Sequence, residues 1–468
     1  MWASRARGAL RHTQVFRLGI YRLGVVVLFG LWLVSLAANG SRDDRQLTSE
    51  PLDISLPSLI SQDASPPIWT GSTESESEPD ALPTPLAASE PTELIEPPPR
   101  QFSATFTGDM LLHTRVNKLA KQFGASGQWQ RNIPVEITGD VDADGIGLSP
   151  SSGYGPLEYD YRPMLAPIQP WIEAADWAVC HMEVPLSADN TRLESYPTFR
   201  SPGDIADSAR DVGYDSCTTA SNHTLDQGAK GAVETLDVLE RAGLHFSGSA
   251  RNPQEKLDQI WLDLGGIRVA HLSYTYGFNG FRLPSDSPWM SNLIDADRIV
   301  ADAGAARQGG AEYVIVSLHW GNEYIHAPSS YQTSIGSKVL ASPEVDLIIG
   351  HHAHVVQPIA TEGDEWLVYG LGNLLSNMSQ LPRRDELLVT VTVTETADGS
   401  FKTDLEVLPV FLDAATMVVF PSDPELRPSD INPGLSDELD RSWQRVNDVL
   451  KTGSGWDQFS FAGPLGDE

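Results

Sequence analysis

The sequence predicts an α/β domain in which buried strands alternate with helices. Short apolar runs recur between residues 101 and 413, and segments such as 229–242, with apolar residues at helical spacing, separate several of them. Helices between buried strands are typical of layered α/β folds. Most of the runs lead into a polar cluster, and open α/β sheets bind ligands at the carboxyl ends of their strands. We therefore predict one α/β domain over residues 101–413 with a ligand site at its strand ends.

The first 40 residues carry an Arg-rich leader followed by an uncharged apolar run over residues 23–38. A cleaved signal peptide has an apolar core of about 7–15 residues and a spanning helix needs about 20, and this run lies between the two. We interpret residues 1–40 as a basic cytoplasmic leader plus a signal peptide or membrane anchor. The rest of the chain is then extracytoplasmic, either membrane-anchored or secreted after cleavage.

Residues 41–100 are rich in Pro, Ser, Thr and Glu and poor in aromatic residues. A segment of this composition cannot bury enough apolar surface to order itself. We predict a disordered linker that holds the folded domain away from the membrane.

The strands of the domain are predicted from apolar runs of four to six residues. These runs cover residues 102–107, 177–180, 216–220, 269–274, 313–318, 347–350 and 366–370. Residues 388–393 and 404–410 follow, and the alternation in the first of them indicates antiparallel strands that close the domain. Residues 414–468 are predicted to form a C-terminal extension with one helix near residues 436–450, packed on the surface.

The charge of the chain excludes one class of partner. There are 63 Asp and Glu residues against 32 Lys and Arg residues, which gives a formal net charge of -31. Binding to a nucleic-acid backbone over a broad surface depends on Lys and Arg, so no nucleic-acid partner is expected.

The chain contains two cysteines, Cys180 and Cys217. Two residues form neither the disulfide framework of a small secreted domain nor a Cys-rich zinc site. We interpret both as small apolar core residues. A disulfide between them is the alternative, and a free-thiol count would decide it.

Polar clusters follow five of the predicted strands. They supply carboxylates, side-chain amides and histidines, in residues 108–109, 181–183, 221–223, 319–323 and 350–354. Two metal ions need such a mixture of oxygen and imidazole ligands, with one carboxylate bridging both ions, to clamp an anion and activate water. The histidines at 351, 352 and 354 are the strongest single signal, because packing rarely needs three histidines at a strand end.

These motifs resemble the CapA family of poly-γ-glutamate synthesis proteins, in the calcineurin-like metallophosphoesterase superfamily. The resemblance covers roughly residues 103–413. It rests on residues 107–109 (TGD), 183–186 (EVPL), 199–202 (FRSP), 221–228 (SNHTLDQG), 319–324 (HWGNEY), 350–358 (GHHAHVVQP) and 370–373 (GLGN). The family implies a four-layered metallophosphoesterase-like β-sandwich flanked by helices, and a role in capsule or extracellular polymer assembly at the bacterial cell surface.

The resemblance also implies roles for individual residues. Asp109 would bind one divalent metal ion, Glu183 would bridge two, Asn222 and His319 would complete the second site, and His352 and His354 would divide between the sites. His223 would be a general acid that is not a ligand. Arg200 is our candidate anion clamp, because a guanidinium suits phosphate or carboxylate; a surface ion pair is the alternative.

The chain departs at three places from the patterns of the family and of ordinary metallophosphoesterases, and the first of these leaves the first metal site without a ligand. Leu111 stands where ordinary metallophosphoesterases have a histidine, and His113 would substitute only if the loop bends. The family reads Asn-Leu-Glu where this chain has residues 181–183, and Asn-Asn-His where it has residues 221–223. Weak occupancy of one site or catalysis by a single metal ion is therefore open, and His351 would cap its strand while His352 and His354 bind.

Two functions fit these residues. The first is a metal-dependent hydrolase acting outside the membrane on a phosphoester or on an amide-linked anionic polymer such as poly-γ-glutamate, since metal-activated water attacks either centre. The second is a non-catalytic assembly factor that binds an anionic polymer or a membrane synthase partner. Intact His223 beside Asn222 favours the first, and Leu111 favours the second.

Overall fold

The computed structural model of the chain describes residues 98–127, 156–429 and 431–465. They belong to one compact unit, Thr92–Glu468. The predicted membrane anchor over residues 1–40 and all but the last three residues of the predicted linker lie outside the described ranges, so both stay predictions. Within those ranges, no helix has the length and apolar character needed to cross a membrane.

The described residues form strands and helices in alternation over most of their length. The strands are β1 Gln101–Asp109, β2 Trp177–His181, β3 Leu186–Ser187, β4 Ser201–Pro202, β5 Ser216–Thr218, β6 His245–Ser247, β7 Trp261–Leu264, β8 Ile267–Thr275, β9 Tyr313–His319, β10 Leu347–His351, β11 Ile359–Glu362, β12 Glu365–Val368, β13 Asp385–Glu395, β14 Phe401–Leu412, β15 Val419–Pro421 and β16 Ser460–Phe461. The helices are α1 Thr114–Ser126, α2 Arg162–Leu165, α3 Gln169–Glu173, α4 Asp204–Asp211, α5 Gly228–Arg241, α6 Pro253–Asp258, α7 Ala296–Gln308, α8 Ser330–Leu340 and α9 Pro433–Leu450, with 3₁₀ turns at Ala166–Ile168 and Leu381–Arg383.

The first sheet has the strand order β15-β14-β13-β1-β2-β5-β6, with β16 beside β14. Strands β1, β2, β5 and β6 run parallel, and β13, β14 and β15 continue the sheet antiparallel. The alternating pattern over residues 388–393 predicted this antiparallel part. Three residues of β13 that follow the alternation, Val389, Val391 and Val393, face the core.

The second sheet has the order β11-β12-β10-β9-β8-β7. Its central strands β8, β9, β10 and β12 are parallel, and an antiparallel strand closes each edge. The central strands read as continuous apolar runs because both faces of a parallel sheet are covered.

Apolar side chains pack in three layers around the two sheets. Phe106, Trp177, Ile315 and Ile349 belong to the core between the sheets, where Phe106 and Trp177 meet edge to face with ring centroids 5.8 Å apart. Separate clusters pack α1 to α5 on the first sheet and α7 and α8 on the second. The order is helix, sheet, sheet, helix. The predicted α/β class is therefore confirmed, and the layers are those that the resemblance implies.

Helix α9 lies where the sequence predicts a helix in the C-terminal segment, and it packs one face against the domain. Asn432 caps its first turn by accepting a hydrogen bond from the Leu435 amide. Val446 and Leu450 join the core between the sheets, and fully burying such side chains contributes about 1.5–3 kcal/mol each. The helix is therefore an integral part of the fold.

The interpretation of the two cysteines as unpaired core residues is wrong. Cys180 of β2 and Cys217 of β5 are partners in a parallel strand pair and form a disulfide. Their Cα atoms are 4.4 Å apart, a separation that a disulfide spans. The strand register brings them together, and the sequence alone did not show that these two strands are neighbours.

Candidate metal centre

The carboxyl ends of four parallel strands meet at one edge of the two sheets. In the first sheet β1 ends at Asp109 and β2 at His181, and the two residues lie opposite each other. In the second sheet β9 ends at His319 and β10 at His351, which are also opposite. Parallel strands present their carboxyl ends on the same side, so each sheet contributes polar side chains to a shared site.

Asp109 is fully buried at this edge and is approached by the histidines after β10. His354 Nδ1 lies 3.0 Å from its Oδ2, and His351 Nδ1 lies 3.4 Å from its Oδ1. The backbone N–H of His352 donates to Oδ2 over 3.2 Å. Burial raises the pKa of Asp109, but the interactions with His351 and His354 outweigh it and hold the pKa well below its usual value. The carboxylate is therefore ionised at neutral pH.

Glu183 is buried, and neither of its carboxylate oxygens has a hydrogen-bond partner within the described chain. His354 Nε2 lies 3.7 Å and His319 Nε2 lies 3.8 Å from its Oε1. Burial raises the pKa of Glu183 to about 7. A buried carboxylate without partners is costly unless a cation neutralises it, so this residue indicates a missing positive charge.

The His319 ring is held between His181 and Asn222. Its Nδ1 lies 2.9 Å from His181 Nε2, and its Nε2 lies 3.0 Å from Asn222 Oδ1. The His181 ring stacks on His351 with centroids 4.1 Å apart, and its Nδ1 lies 2.7 Å from Thr218 Oγ1. Burial lowers the pKa of both His181 and His319 well below the usual histidine value. Both rings are therefore neutral, the form that binds metals.

Ligand atoms converge closely enough here to fit a divalent metal. Three groups in the described ranges hold ligand atoms within 4.8 Å of one another: Asp109 with His181 and His319, Glu183 with His319 and His352, and Asp109 with Glu183 and His354. Exposed Glu323 forms a fourth group with His352 and His354. Carboxylate and imidazole ligands suit ions such as Zn²⁺, Mn²⁺ and Fe²⁺. Together with the unpartnered oxygens of Glu183, the donor set fits a metal centre.

The loop after β10 adopts an unusual backbone at two of these ligands. His352 has a φ of 84° and His354 a φ of 54°. Left-handed conformations are uncommon for residues other than glycine, and such strain concentrates at functional sites. Here it turns successive histidine side chains toward the acids of the first sheet.

His223 lies beside the cluster with a fixed ring orientation. Its Nδ1 lies 2.7 Å from Asp226 Oδ2, and the Phe199 backbone N–H donates to the same oxygen over 2.7 Å. Burial lowers the pKa of His223, but the hydrogen bond with Asp226 and the charge of Glu183 outweigh it and raise the pKa. The Nε2 atom is left free of protein hydrogen bonds in the described residues.

The structure brings most of the sequence-predicted site residues together. The six proposed ligands, Asp109, Glu183, Asn222, His319, His352 and His354, all lie within the cluster described above. His223 stands next to Asn222 at its edge. Their roles as ligands and as general acid stay predictions, because no metal or substrate is part of the structure.

Arg200 does not belong to this cluster, and the prediction of an anion clamp is corrected. Its guanidinium forms two hydrogen bonds of 2.8 Å to the carboxylate of Glu234 and one of 3.2 Å to the Thr191 carbonyl. All three donor nitrogens are thus engaged, and the charge is neutralised. The ion-pair alternative is the one that the structure has.

His181 is not among the ligands predicted from the sequence, and His351 is predicted only to cap its strand. Both rings approach Asp109, with His181 Nε2 4.0 Å and His351 Nδ1 3.4 Å from Oδ1. A signal was present, because His181 follows a buried strand and stands two residues before Glu183. The family pattern has an asparagine at that position, so the resemblance implies no histidine ligand there.

The position at which ordinary metallophosphoesterases have a histidine is occupied by a buried apolar residue in this structure. Leu111 is buried in the cluster that packs on the helices of the first sheet. His113 does not replace it among the described ligand groups. Its Nδ1 lies 2.9 Å from the Leu111 carbonyl oxygen and 3.2 Å from the Asn377 amide nitrogen. The imidazoles near Asp109 come instead from His181, His351 and His354.

The family model for the bacterial capsule synthesis protein PGA_cap matches residues 103–378, more than half of the chain. The chain belongs to the PGA_cap family. The predicted family is thereby confirmed, and the match contains every proposed ligand.

Two curated relatives share the PGA_cap region. The chain is 24% identical over 318 residues to the PGA biosynthesis protein CapA of Bacillus subtilis, covering 67% of this chain and 73% of that protein. It is 24% identical over 229 residues to the capsule biosynthesis protein CapA of Bacillus anthracis, covering 47% of this chain and 56% of that protein. The chain thus spans little more than half the length of the second relative.

Solved structures of phosphoesterases are distantly similar to this PGA_cap chain. The calcineurin-like phosphoesterase YfkN from Bacillus subtilis has a TM-score of 0.35 at 13% identity, covering 75% of this chain and 98% of that one. The 5′-nucleotidase from Candida albicans has a TM-score of 0.32 at 13% identity, covering 62% and 53%. Scores this low carry no argument about activity.

Proposed function

We propose that this PGA_cap protein is an extracytoplasmic, metal-dependent hydrolase that acts on an anionic capsule or extracellular polymer, or on a phosphoester, during polymer synthesis or processing. The observation that carries the proposal is the buried carboxylate of Glu183, which has no hydrogen-bond partner among the described residues and lies close to imidazole nitrogens of His319 and His354. Divalent metal ions held by Glu183 and these histidines would satisfy the carboxylate and imidazole atoms.

The ligands divide between the two sheets. Asp109, His181, Glu183 and Asn222 lie at or after strand ends of the first sheet, and His319, His351, His352 and His354 lie at or after strand ends of the second. When bound, divalent ions supply Lewis acidity and an activated water. The protein's own contribution is to hold these ligands rigidly at buried strand ends, so that little reorganisation is needed.

His223 is proposed to move the proton. Its Nδ1 is bound to Asp226, so the transferable proton sits on Nε2. As the oxygen of water bonds to the phosphorus or carbonyl carbon and gives up a proton to solvent, the bond to the leaving oxygen or nitrogen breaks, and Nε2 donates its proton to that leaving atom. A proton from solvent then restores Nε2–H. Asp226 fixes the ring and stabilises the protonated form before transfer.

The disulfide supports the proposed location outside the cytoplasm. Cytoplasmic thiols are generally kept reduced, whereas disulfides persist in exported proteins. The Cys180–Cys217 pair is therefore in keeping with the apolar segment over residues 23–38 being an export signal or anchor. Protease added to intact cells should digest the domain if this proposal is right, and protection until lysis would contradict it.

The hydrolase proposal is tested on the purified full chain by elemental analysis beside turnover of an aryl phosphodiester and of a poly-γ-glutamate oligomer. Two ions per chain, with turnover that His223→Ala abolishes, are the expected result. A chain that binds no divalent ion would contradict the site assignment.

The alternative function is a non-catalytic assembly factor that binds an anionic polymer or a membrane synthase partner. Buried Leu111 favours it, because the chain lacks a histidine that ordinary metallophosphoesterases have. The names of the two relatives also describe biosynthesis, not hydrolysis. Two bound metal ions without turnover of either substrate would support this alternative.

A further inference from the structure

A cationic side chain beside the proposed metal centre would help to bind an anionic substrate. Arg200 is not available for this role, because it is paired with Glu234. We propose that Arg383 is the residue that binds a substrate oxyanion beside the histidine cluster. This inference rests on the proposed function for the identity of the site, and it names the residue that selects anionic substrates there.

Arg383 contacts the metal centre through one aromatic ring. The carbon at the centre of its guanidinium lies 3.5 Å from the centroid of the Tyr324 ring. The Tyr324 ring in turn stacks on the imidazole of His354, with centroids 5.8 Å apart and planes inclined by 29°. The guanidinium is thus one ring away from a proposed ligand. Stacking holds it flat and leaves its edge N–H groups free to donate.

Hydrogen bonds to the backbone also hold Arg383 close to the histidine loop after β10. Asn373 is fully buried, and its Nδ2 donates to the carbonyl of His354 over 3.1 Å and to the carbonyl of Arg383 over 3.0 Å. The Tyr324 amide donates to the Ala353 carbonyl over 2.7 Å. Both residues of the stack are therefore anchored to the loop that carries the histidines, so the arrangement does not depend on a flexible side chain alone.

No acid in the described part of the chain neutralises the charge of Arg383. No acid forms an ion pair or hydrogen bond with its guanidinium anywhere in residues 98–127, 156–429 and 431–465. The acid beside Tyr324, Glu323, shares a ligand group with His352 and His354 instead. Arg383 is half-buried, so an oxyanion reaching the histidines from solvent also meets an available planar donor.

Phosphate and carboxylate share the chemistry that a guanidinium recognises, namely two oxygens spaced for parallel N–H bonds. A phosphoester supplies them at the bond to be broken. A poly-γ-glutamate chain supplies them on the carboxylate beside each amide. The proposed ligand of Arg383 is therefore an oxyanion, and binding measurements distinguish a phosphate from a poly-γ-glutamate carboxylate.

The test is calorimetric titration of the metal-loaded full chain with inorganic phosphate and, separately, with a short poly-γ-glutamate oligomer. Arg383→Gln should weaken binding of at least one of them by about tenfold to a hundredfold, because a charge-assisted hydrogen-bond pair is lost. Arg383→Lys should show an intermediate loss, since it keeps the charge but not the planar fork. The anion that loses affinity identifies the substrate class.

Three further variants separate recognition from misfolding. Tyr324→Phe keeps the ring and should bind anions like the natural chain, whereas Tyr324→Ala removes the stack and should weaken binding. Arg241→Gln, at the exposed end of α5, is the matched control for losing one arginine and should change nothing. Each variant is accepted only if its thermal unfolding matches that of the natural chain.

The outcomes distinguish this inference from the proposed function. Unchanged affinity for both anions in Arg383→Gln, or no binding of either anion by the natural chain, would overturn the role of Arg383 even if two metal ions and turnover are found. Conversely, anion binding that depends on Arg383 in a chain without metal or turnover would retain the inference and reject the hydrolase.

Discussion

The raised pKa of the buried Glu183 carboxylate makes the stability of the fold depend on pH. In the metal-free fold its pKa is raised to about 7 by burial, whereas an unfolded glutamate titrates near about 4.3. The stability associated with the protonated form is therefore present below the unfolded pKa and is lost as pH rises through about 7. A bound cation would reverse this loss.

We expect Glu183→Gln to stabilise the metal-free fold at pH 8 by about 1–3 kcal/mol, because a buried charge without partners is removed. The difference should shrink as the pH falls toward 5. The same variant should lose bound metal. Urea unfolding with a chelator at both pH values, beside elemental analysis, measures these effects.

Glu362→Gln, on an exposed edge strand, is the control for Glu183→Gln and should be neutral in both respects. Equal metal content in Glu183→Gln and the natural chain would remove Glu183 from the ligand set.

His223 is predicted to act on the leaving group and not on the metals. Its replacement by Gln should lower turnover by about 10²–10⁴-fold while leaving the metal content unchanged. The loss should be larger for a phenyl ester than for a p-nitrophenyl ester, because a poorer leaving group depends more on a proton donor. Asp226→Asn should show the same ordering with a smaller loss.

The matched control for His223 is His245→Gln, an exposed histidine at the start of β6. It should leave both substrates unaffected. Equal losses for the two esters in His223→Gln would argue against proton donation.

The pair β2–β5 carries the disulfide directly before His181 and Glu183. Removing it with Cys180→Ser and Cys217→Ser together should cost about 2–4 kcal/mol of unfolding free energy, since the crosslink closes a loop in the unfolded chain. Urea titration of the double variant against the oxidised natural chain measures the change. Identical midpoints before and after reduction of the natural chain would show that the crosslink does not stabilise the fold.

Strand β1 packs closely against the loop before β13, and this close approach requires a glycine at position 108. A Cβ atom there would meet the Gly372 carbonyl oxygen and lie 3.1 Å from Glu386 Oε1. We expect Gly108→Ala to destabilise the fold by at least about 2 kcal/mol and to displace Asp109, because backbone cannot move away as a flexible side chain would.

Gly463→Ala is the control for Gly108→Ala, because a Cβ atom there has open space around it. It should unfold like the natural chain. A Gly108→Ala variant with unchanged melting temperature and metal content would show that β1 has room to shift.

For the molecule as a whole, metal binding should couple to folding because the ligands come from both sheets. At free metal about 100-fold above the dissociation constant, the native state gains about 2.7 kcal/mol. Saturating Mn²⁺ or Zn²⁺ should therefore raise the melting temperature, and a chelator should reverse the effect. No shift with any divalent ion would contradict a site that joins the sheets.

The same coupling should make metal binding release protons. His354 has a pKa raised to about 9, because Glu183 and Asp109 outweigh its burial, and it must be neutral to bind a metal. Binding should therefore weaken as pH falls below 9 and release at least one proton per chain near pH 7. Calorimetry in buffers of different ionisation enthalpy measures the number released.

The layered fold could be predicted because it depends on local patterns. Runs of buried residues predicted the central strands β1, β2, β8, β9 and β10 to within a few residues, and the helical spacing over residues 229–242 predicted α5. The short strands β3, β4 and β16 were not predicted. Two-residue strands bury little surface of their own and exist only where a neighbour supplies the hydrogen bonds.

The sequence by itself determined the order of strands and helices, the family, and which strand ends carry polar side chains, because these follow from the spacing of residues along the chain. Only the tertiary structure decided which side chains meet. Strand register placed Cys180 against Cys217, the parallel ends brought His181 to Asp109, and Glu234 neutralised Arg200 while Arg383 came to lie on Tyr324. Each of these contacts joins residues that are distant in sequence, and their partners are selected by the packing of the two sheets.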